Sequence, residues 1–480
     1  MSIKKLVRNY VHIVIVQIVT SVIAVILLKV SLKHVTAADY GNIVLILAAS
    51  NTIQVFLNWT CSALVRYGVE EFIADKNIVN TFWARTFIFL LNLILILALA
   101  PLWFRLLHSF LDLQEIIKPL ILLHIIVGSL WMHGQQALQA ARRPQVQSYL
   151  LLAERALSLL VIIIIVNINW LSWEKIFWVL LSSSIVMFFI SILILRPYIG
   201  VIDRVVVKSA MQKIFLFSIP LFPYAVTSFF TTNYLNSYFI NAYLPKSDLT
   251  VFNTIFQITG LLTQLPILLN MLLMPQFVSM RLENKQENIK KYMETVLPFM
   301  TMAWGLGIGL AAFILTWFIP SFFGATFAGA APAIILLSAG ALFSFPSLVG
   351  YSPFIMSVSD VKVSFPMAII AAVVNVVAHF LLIGPLGLAG SAIATLLSII
   401  SGLAFIVIYV SRKYSFQARL LSLSLLPAVV SITAYFFIGK LYVFIGCLTV
   451  FSLLFAFATR KQVLPYINLA FKMVKPKEIE

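Results

Sequence analysis

Gln135 to Leu160 reads QQALQAARRPQVQSYLLLAERALSLL. Arg142, Arg143 and Pro144 end one apolar run, and the pair Glu154–Arg155 lies inside the next. At about 1.5 Å per helical residue, Arg155 falls roughly 15 Å beyond that boundary, near the middle of a bilayer. An ionisable side chain there is costly, so it marks a functional site by default. What the site does depends on the segments built around it.

The whole chain has the composition of a membrane protein. Its 480 residues are 62% hydrophobic and 10% charged, with a mean hydropathy of +1.04. Soluble domains are about 45–50% apolar and about 25% charged. Fourteen apolar runs of helix-spanning length fall near 11–30, 42–64, 84–104, 119–139, 146–168, 176–195, 215–240, 250–274, 295–318, 332–356, 364–383, 388–410, 420–438 and 441–458. The last two are closely spaced, so twelve spans are the alternative count. The run Val11–Val30 exceeds the length of a signal-peptide core and reads as the first span. Cys61 and Cys447 lie far apart in or beside apolar runs, which implies neither a disulfide framework nor a metal site.

Net charge is +17. In a soluble chain that excess would suggest nucleic acid; here it sits in short loops and sets topology. Of the 33 lysines and arginines, 25 fall on the odd-side loops and tails, counting Arg85 with the second loop. Seven fall on the opposite side, and Arg155 is left over. The bias places both termini in the cytoplasm. The surplus suits anionic headgroups or an anionic substrate.

Residues 196–213, RPYIGVIDRVVVKSAMQK, mix basic and aliphatic side chains, as an interfacial amphipathic helix does. They separate six spans from the next six. Arg281–Glu294 reads as a solvated helical hairpin. Two stretches repeat weakly: LKHVTAADYGNIVLI resembles NAYLPKSDLTVFNTI, aligning Asp39 with Asp248, and the start of the fifth span resembles that of the eleventh, aligning Val146 with Val363. Nearly constant offsets predict two parallel six-helix bundles. The expected organisation is an N-terminal bundle over 1–198, a linker over 199–213, a C-terminal bundle over 214–412, and an extra helix pair with a basic tail over 413–480. Pro and Gly punctuate the second half, as packing kinks or as hinges.

Several motifs together carry a family resemblance. Residues 322–343 read FFGATFAGAAPAIILLSAGALF, and SDVK (359–362) leads into an Asn-bearing helix and GPLGLAGSAIAT (384–395). DYG (39–41), RYGVEE (66–71) and FSIPLFP (217–223) agree. This order resembles the polysaccharide-exporter branch of the multidrug/oligosaccharidyl-lipid/polysaccharide superfamily. The resemblance covers residues 1–412; the last two spans match the family's helix count only. It implies an all-α, MATE-like fold of about 14 spans in a bacterial cytoplasmic membrane. The function it implies is a flippase carrying undecaprenyl-diphosphate-linked O-antigen, capsule or similar repeat units to the outer leaflet by alternating access. H⁺ or Na⁺ would be the coupling ion, and the polymerase and other glycan-assembly proteins would be partners. No cofactor is implied. Where many relatives carry an Asp-Arg pair in the seventh span, this chain reads TNYLNSYFI with Asn236, so that charged role does not carry over.

A diphosphate drawn into a membrane cavity needs fixed cations, and guanidinium offers it a bidentate fork. The cations not clearly in bulk water are Arg155, Arg66, Arg142, Arg143, Lys29 and Arg85. Arg155 either lines a cavity or pairs with a carboxylate on another helix; Glu154 is not that partner, because adjacent helical side chains diverge by about 100°. Arg66 has cavity-facing and membrane-anchoring readings, while Arg142 and Arg143 read first as anchors at a tight turn. Lys29 can snorkel to the interface. Asn51, Gln54 and Asn58 form a polar stripe suited to sugar hydroxyls or to helix–helix hydrogen bonds. His12, His124, His133 and His379 show no metal spacing, and no phosphate-binding loop is present, so the chain has no motor of its own. A drug/cation antiporter of the same fold is the first rival, with Glu154 the one acid deep in the first half. A lipid II flippase is another, and a membrane glycosyltransferase or polymerase ranks below both because the outer loops are short and poor in acids.

Overall fold

A computed structural model of the chain describes residues 3–111, 116–200, 204–219, 222, 233–358 and 360–474. The regular structure of the described residues is all helical, with no strand among them. Ten described stretches are long and apolar enough to cross a membrane, which makes this a multi-pass membrane protein. The middle of the seventh span, with the prolines of FSIPLFP, lies outside the described residues. So do the side chains of Lys4, Lys5 and Arg8, and of the tail beyond 457.

Contacts divide the chain into two compact units, Met1–Asn253 and Thr254–Glu480. In the first unit the helices are α1 (Ile3–His34), α2 (Ala37–Asn58), α3 (Cys61–Asp75), α4 (Val79–Ala98), α5 (Ala100–Leu111), α6 (Ile117–Ala140), α7 (Pro144–Asn167) and α8 (Trp173–Leu195). They are followed by α9 (Arg204–Ser218), α10 (Asn233–Tyr243) and α11 (Lys246–Gly260), whose last residues belong to the second unit. α2 is central, with 72% of its most apolar stretch buried. It starts where Thr36 caps it, the Thr36 hydroxyl oxygen accepting from Asp39 N at 3.1 Å, with the Asp39 carboxylate at the positive helix end.

The sequence pattern places the third span at 84–104; α4 begins five residues earlier, at Val79. The cause is a local cap. The Glu71 carboxylate accepts from Asn80 N at 2.8 Å and Thr81 N at 2.9 Å, satisfying two orphan donors of the first turn. The span then breaks at Leu99, before Pro101 in α5. The amphipathic linker is helical from Arg204 and runs on to Ser218, with Val207 and Ile214 buried against Ala63, Ala84 and Ile88. Across α4's other face, Leu91 and Ile94 are each 66% exposed, an apolar surface suited to lipid.

In the second unit come α12 (Gln264–Leu282), α13 (Gln286–Lys291), α14 (Leu297–Phe323), α15 (Ala331–Pro346), α16 (Ser352–Ser357), α17 (Ser364–Tyr414), α18 (Arg419–Ile438) and α19 (Leu441–Val474). The predicted eighth span is two helices, α11 and α12, joined by a 3₁₀ turn at Leu261–Thr263. α17 holds the eleventh and twelfth spans, divided at Gly387, whose φ of 55° is a conformation that side-chain-bearing residues avoid. His379 ties the two halves, its Nε2 lying 3.0 Å from Ser391 Oγ. The C-terminal pair, α18 and α19, packs on α14, where Gly309 leaves a notch that Leu448 fills.

Candidate functional site

Pro144 opens α7 at its first turn, a position where its missing N–H is no loss. Arg142, at φ 55°, makes the tight reversal from α6. Arg142 and Arg143 are both exposed there, and Arg143 Nη2 donates to Tyr198 Oη at 2.7 Å. These two arginines therefore sit at a turn, as their spacing suggests.

Three turns further along α7, the Glu154–Arg155 pair separates. Glu154 is 8% exposed and points into the bundle. Its Oε2 accepts from Trp131 Nε1 on α6 at 3.1 Å, and its Oε1 from Ser184 Oγ on α8 at 2.5 Å. Both donors are neutral. Arg155 is half-buried on a different face, and its charge interacts with that region's buried Tyr40 on α2. No described carboxylate comes within ion-pair distance of it. The pair thus presents one buried carboxylate held by neutral donors and one guanidinium without a counter-ion among the described residues.

The other predicted residues lie on different helices. Arg66, on α3, is 55% exposed at its side chain; it pairs with Glu70 at 3.7 Å and lies over the Phe217 ring at 4.7 Å. Lys29 and Asn51 are half-buried. Gln54 is buried and donates from Nε2 to His124 O at 3.0 Å, a bond from α2 to α6. Asn58 accepts from Arg85 Nη2 at 3.1 Å through its Oδ1. Two members of the polar stripe are therefore engaged in helix-to-helix hydrogen bonds, and Asn51 is the member that shows none among the described residues.

Arg85 is the residue that loop counting misplaced. It lies two turns inside α4 with 0% exposure, the largest fully buried side chain of the described set. Its Nη2 reaches Leu57 O at 3.1 Å and Cys61 Sγ at 3.4 Å as well as Asn58, and its guanidinium sits 4.9 Å from the Phe89 ring centroid. The signal that could have found it is Glu71, nine residues before Asn80 and able to start α4 early.

No family profile matches the sequence, and no curated protein matches it either. Among solved structures, the chain is similar to "Lipid II flippase MurJ, inward closed conformation", with a TM-score of 0.69 and 15% identity, over 94% of this chain and 99% of that one. It is also similar to an inward-facing multidrug resistance MATE family transporter of the MOP superfamily, with a TM-score of 0.58 and 14% identity, over 82% and 94% of the two chains. At these identities the likeness shows the fold: an all-α membrane protein of the MurJ and MATE kind.

Proposed function

We propose that this protein is a flippase for polyprenyl-diphosphate-linked oligosaccharide repeat units in a bacterial cytoplasmic membrane, with both termini in the cytoplasm. It moves the unit from the inner to the outer leaflet by alternating access between a six-helix bundle over 1–198 and another over 214–412. Arg155 is the observation that carries this reading. A guanidinium at span depth with no described carboxylate partner is a costly arrangement in a transporter of cations and a useful one for a diphosphate. The printed name of one structural neighbour, a lipid II flippase, supports a lipid-linked cargo. Lipids copurifying with the protein test the reading. A polyprenyl diphosphate bearing a repeat oligosaccharide is expected, and deletion of the gene should abolish a surface glycan. An unchanged surface glycan, with no lipid-linked diphosphate bound, contradicts it.

One observation favours a second reading, a cation antiporter of the same fold. Glu154 is a buried carboxylate whose described partners are neutral, which leaves its charge available to a coupling cation. In a flippase the same group would couple the ion gradient to glycan export. The readings separate on cargo: drug efflux without a bound lipid supports the antiporter.

A further inference from the structure

The second membrane stretch is broken where its sequence gives no reason for a break. α2 ends at Asn58, Trp59 and Thr60 form a turn, and helix resumes at Cys61. Leu57–Cys61 contains neither proline nor glycine, the usual causes of a sharp kink. Instead, one side chain from another helix holds the break. All three polar contacts of the Arg85 guanidinium, to Leu57 O, Asn58 Oδ1 and Cys61 Sγ, fall on it, and all come from Nη2.

Beyond its place 4.9 Å from the Phe89 ring, the rest of that guanidinium makes no polar contact among the described residues. Nε and Nη1 have no hydrogen-bond partner among the described residues, although they are buried. Three further groups beside the break are in the same condition: Asn58 Nδ2, Thr60 Oγ1 and Asn92 Nδ2, the last two turns along α4 from Arg85. Buried donors without acceptors are unfavourable and rare. Here they surround the point where span carbonyls lose their helical partners, and in hydrocarbon those carbonyls must find a donor in every state.

There is also room for movement. An open-sided cavity of about 450 Å³ adjoins the break, lined by Ile53, Phe56 and Trp59 of the second stretch and by Asn92, Trp103 and Phe222 opposite. Close-packed interiors resist bending; a cavity on one side of a broken helix removes that resistance.

We propose that Trp59–Thr60 is a hinge of the second stretch, that Arg85 pins it, and that α2 swings into the adjoining cavity. During the swing, the guanidinium exchanges its contacts on Nη2 for contacts on Nε and Nη1, and the Asn92 amide takes up a freed carbonyl. The break then has two hydrogen-bonded arrangements, which makes it a discrete switch rather than a soft joint. This holds whatever the cargo is.

The test is a distance measurement across the break in the full-length protein in lipid nanodiscs. Cys61→Ser and Cys447→Ser remove the native thiols while leaving an acceptor for Arg85. Spin labels at Ala38→Cys and Ala74→Cys, both exposed, report the angle between α2 and α3. Two distance populations are expected, with Arg85→Met changing their ratio by about threefold or more. Leu95→Trp, which adds bulk to the cavity wall ten residues along α4 from Arg85, should leave one population. If Arg85→Met does not fold, Leu95→Trp decides alone. A single distance in the parent protein, or two populations that Leu95→Trp leaves unchanged, overturns the hinge. A purely structural Arg85 would change stability and leave the ratio where it was.

Discussion

Ser184 Oγ on α8 lies 2.5 Å from Glu154 Oε1 on α7, and the other carboxylate oxygen takes Trp131 Nε1 from α6. One acid thus joins three helices of the first unit, with no described cation at hydrogen-bond distance.

Replacing Glu154 therefore acts on stability first. Glu154→Ala leaves the buried indole N–H of Trp131 without its acceptor, worth about 1–3 kcal/mol, while the half-buried Ser184 hydroxyl keeps Leu180 O at 3.2 Å. The expected result is a clear fall in the thermal midpoint of the detergent-purified protein, with Glu154→Gln recovering much of the loss because its amide oxygen still accepts. Equal midpoints for Glu154→Ala and the parent would show that the carboxylate holds nothing.

The C-terminal helix pair depends on a missing side chain. A Cβ at Gly309 would overlap Leu448 Cδ2. Ile308, Ala341, Leu342, Ala428 and Leu448 form one buried cluster around that notch. Overpacking such a site costs about 1–3 kcal/mol. Gly309→Val should expose α18 and α19 to limited proteolysis while residues 3–253 stay protected, and Gly309→Val combined with Leu448→Ala should restore protection. Unaltered digestion of the single variant would place the pair's anchoring elsewhere.

A pH effect is expected at Asp360, in the second unit. Asp360 Oδ2 accepts from Tyr409 Oη at 2.8 Å, Lys413 Nζ at 2.8 Å and Tyr414 Oη at 3.1 Å. Burial raises the carboxyl's pKa, but these hydrogen bonds outweigh it and hold the group below its ordinary range. Stability from a carboxylate depressed in this way is present above its unfolded value of about 3.9 and is lost as pH falls through the folded value. Thermal midpoints should drop on acidification through that window, and less steeply in Asp360→Asn. Parallel slopes for the two proteins would contradict the clamp.

Much of the architecture was legible because it rests on local signals. Spanning length follows from uninterrupted apolar runs, and the turn at Arg142–Arg143 from the proline that follows it. The misplacements have physical causes too. Apolar periodicity leaves Arg85 in a loop because the cap that starts α4 comes from Glu71, on the preceding helix, and periodicity does not register a cap. The eighth span reads as one run because Leu261–Thr263 is as apolar as its flanks, although its backbone tightens there. Least legible were the partners of Glu154. Trp131 and Ser184 stand 23 and 30 residues away, and only helix packing selects them. The same is true of the stripe at Asn51, Gln54 and Asn58: its spacing was readable, while the assignment of Gln54 to His124 O and Asn58 to Arg85 was not.

The central claim is that Arg155 holds an anionic headgroup. The direct measurement is export of the lipid-linked oligosaccharide by Arg155→Ala, compared with the parent protein at equal membrane abundance. Losing a charge-assisted hydrogen bond of about 1.5–3 kcal/mol predicts a fall of roughly tenfold or more, with Arg155→Lys retaining part of the activity. Export by Arg155→Ala at the parental rate, with the protein folded and in the membrane, would contradict the account.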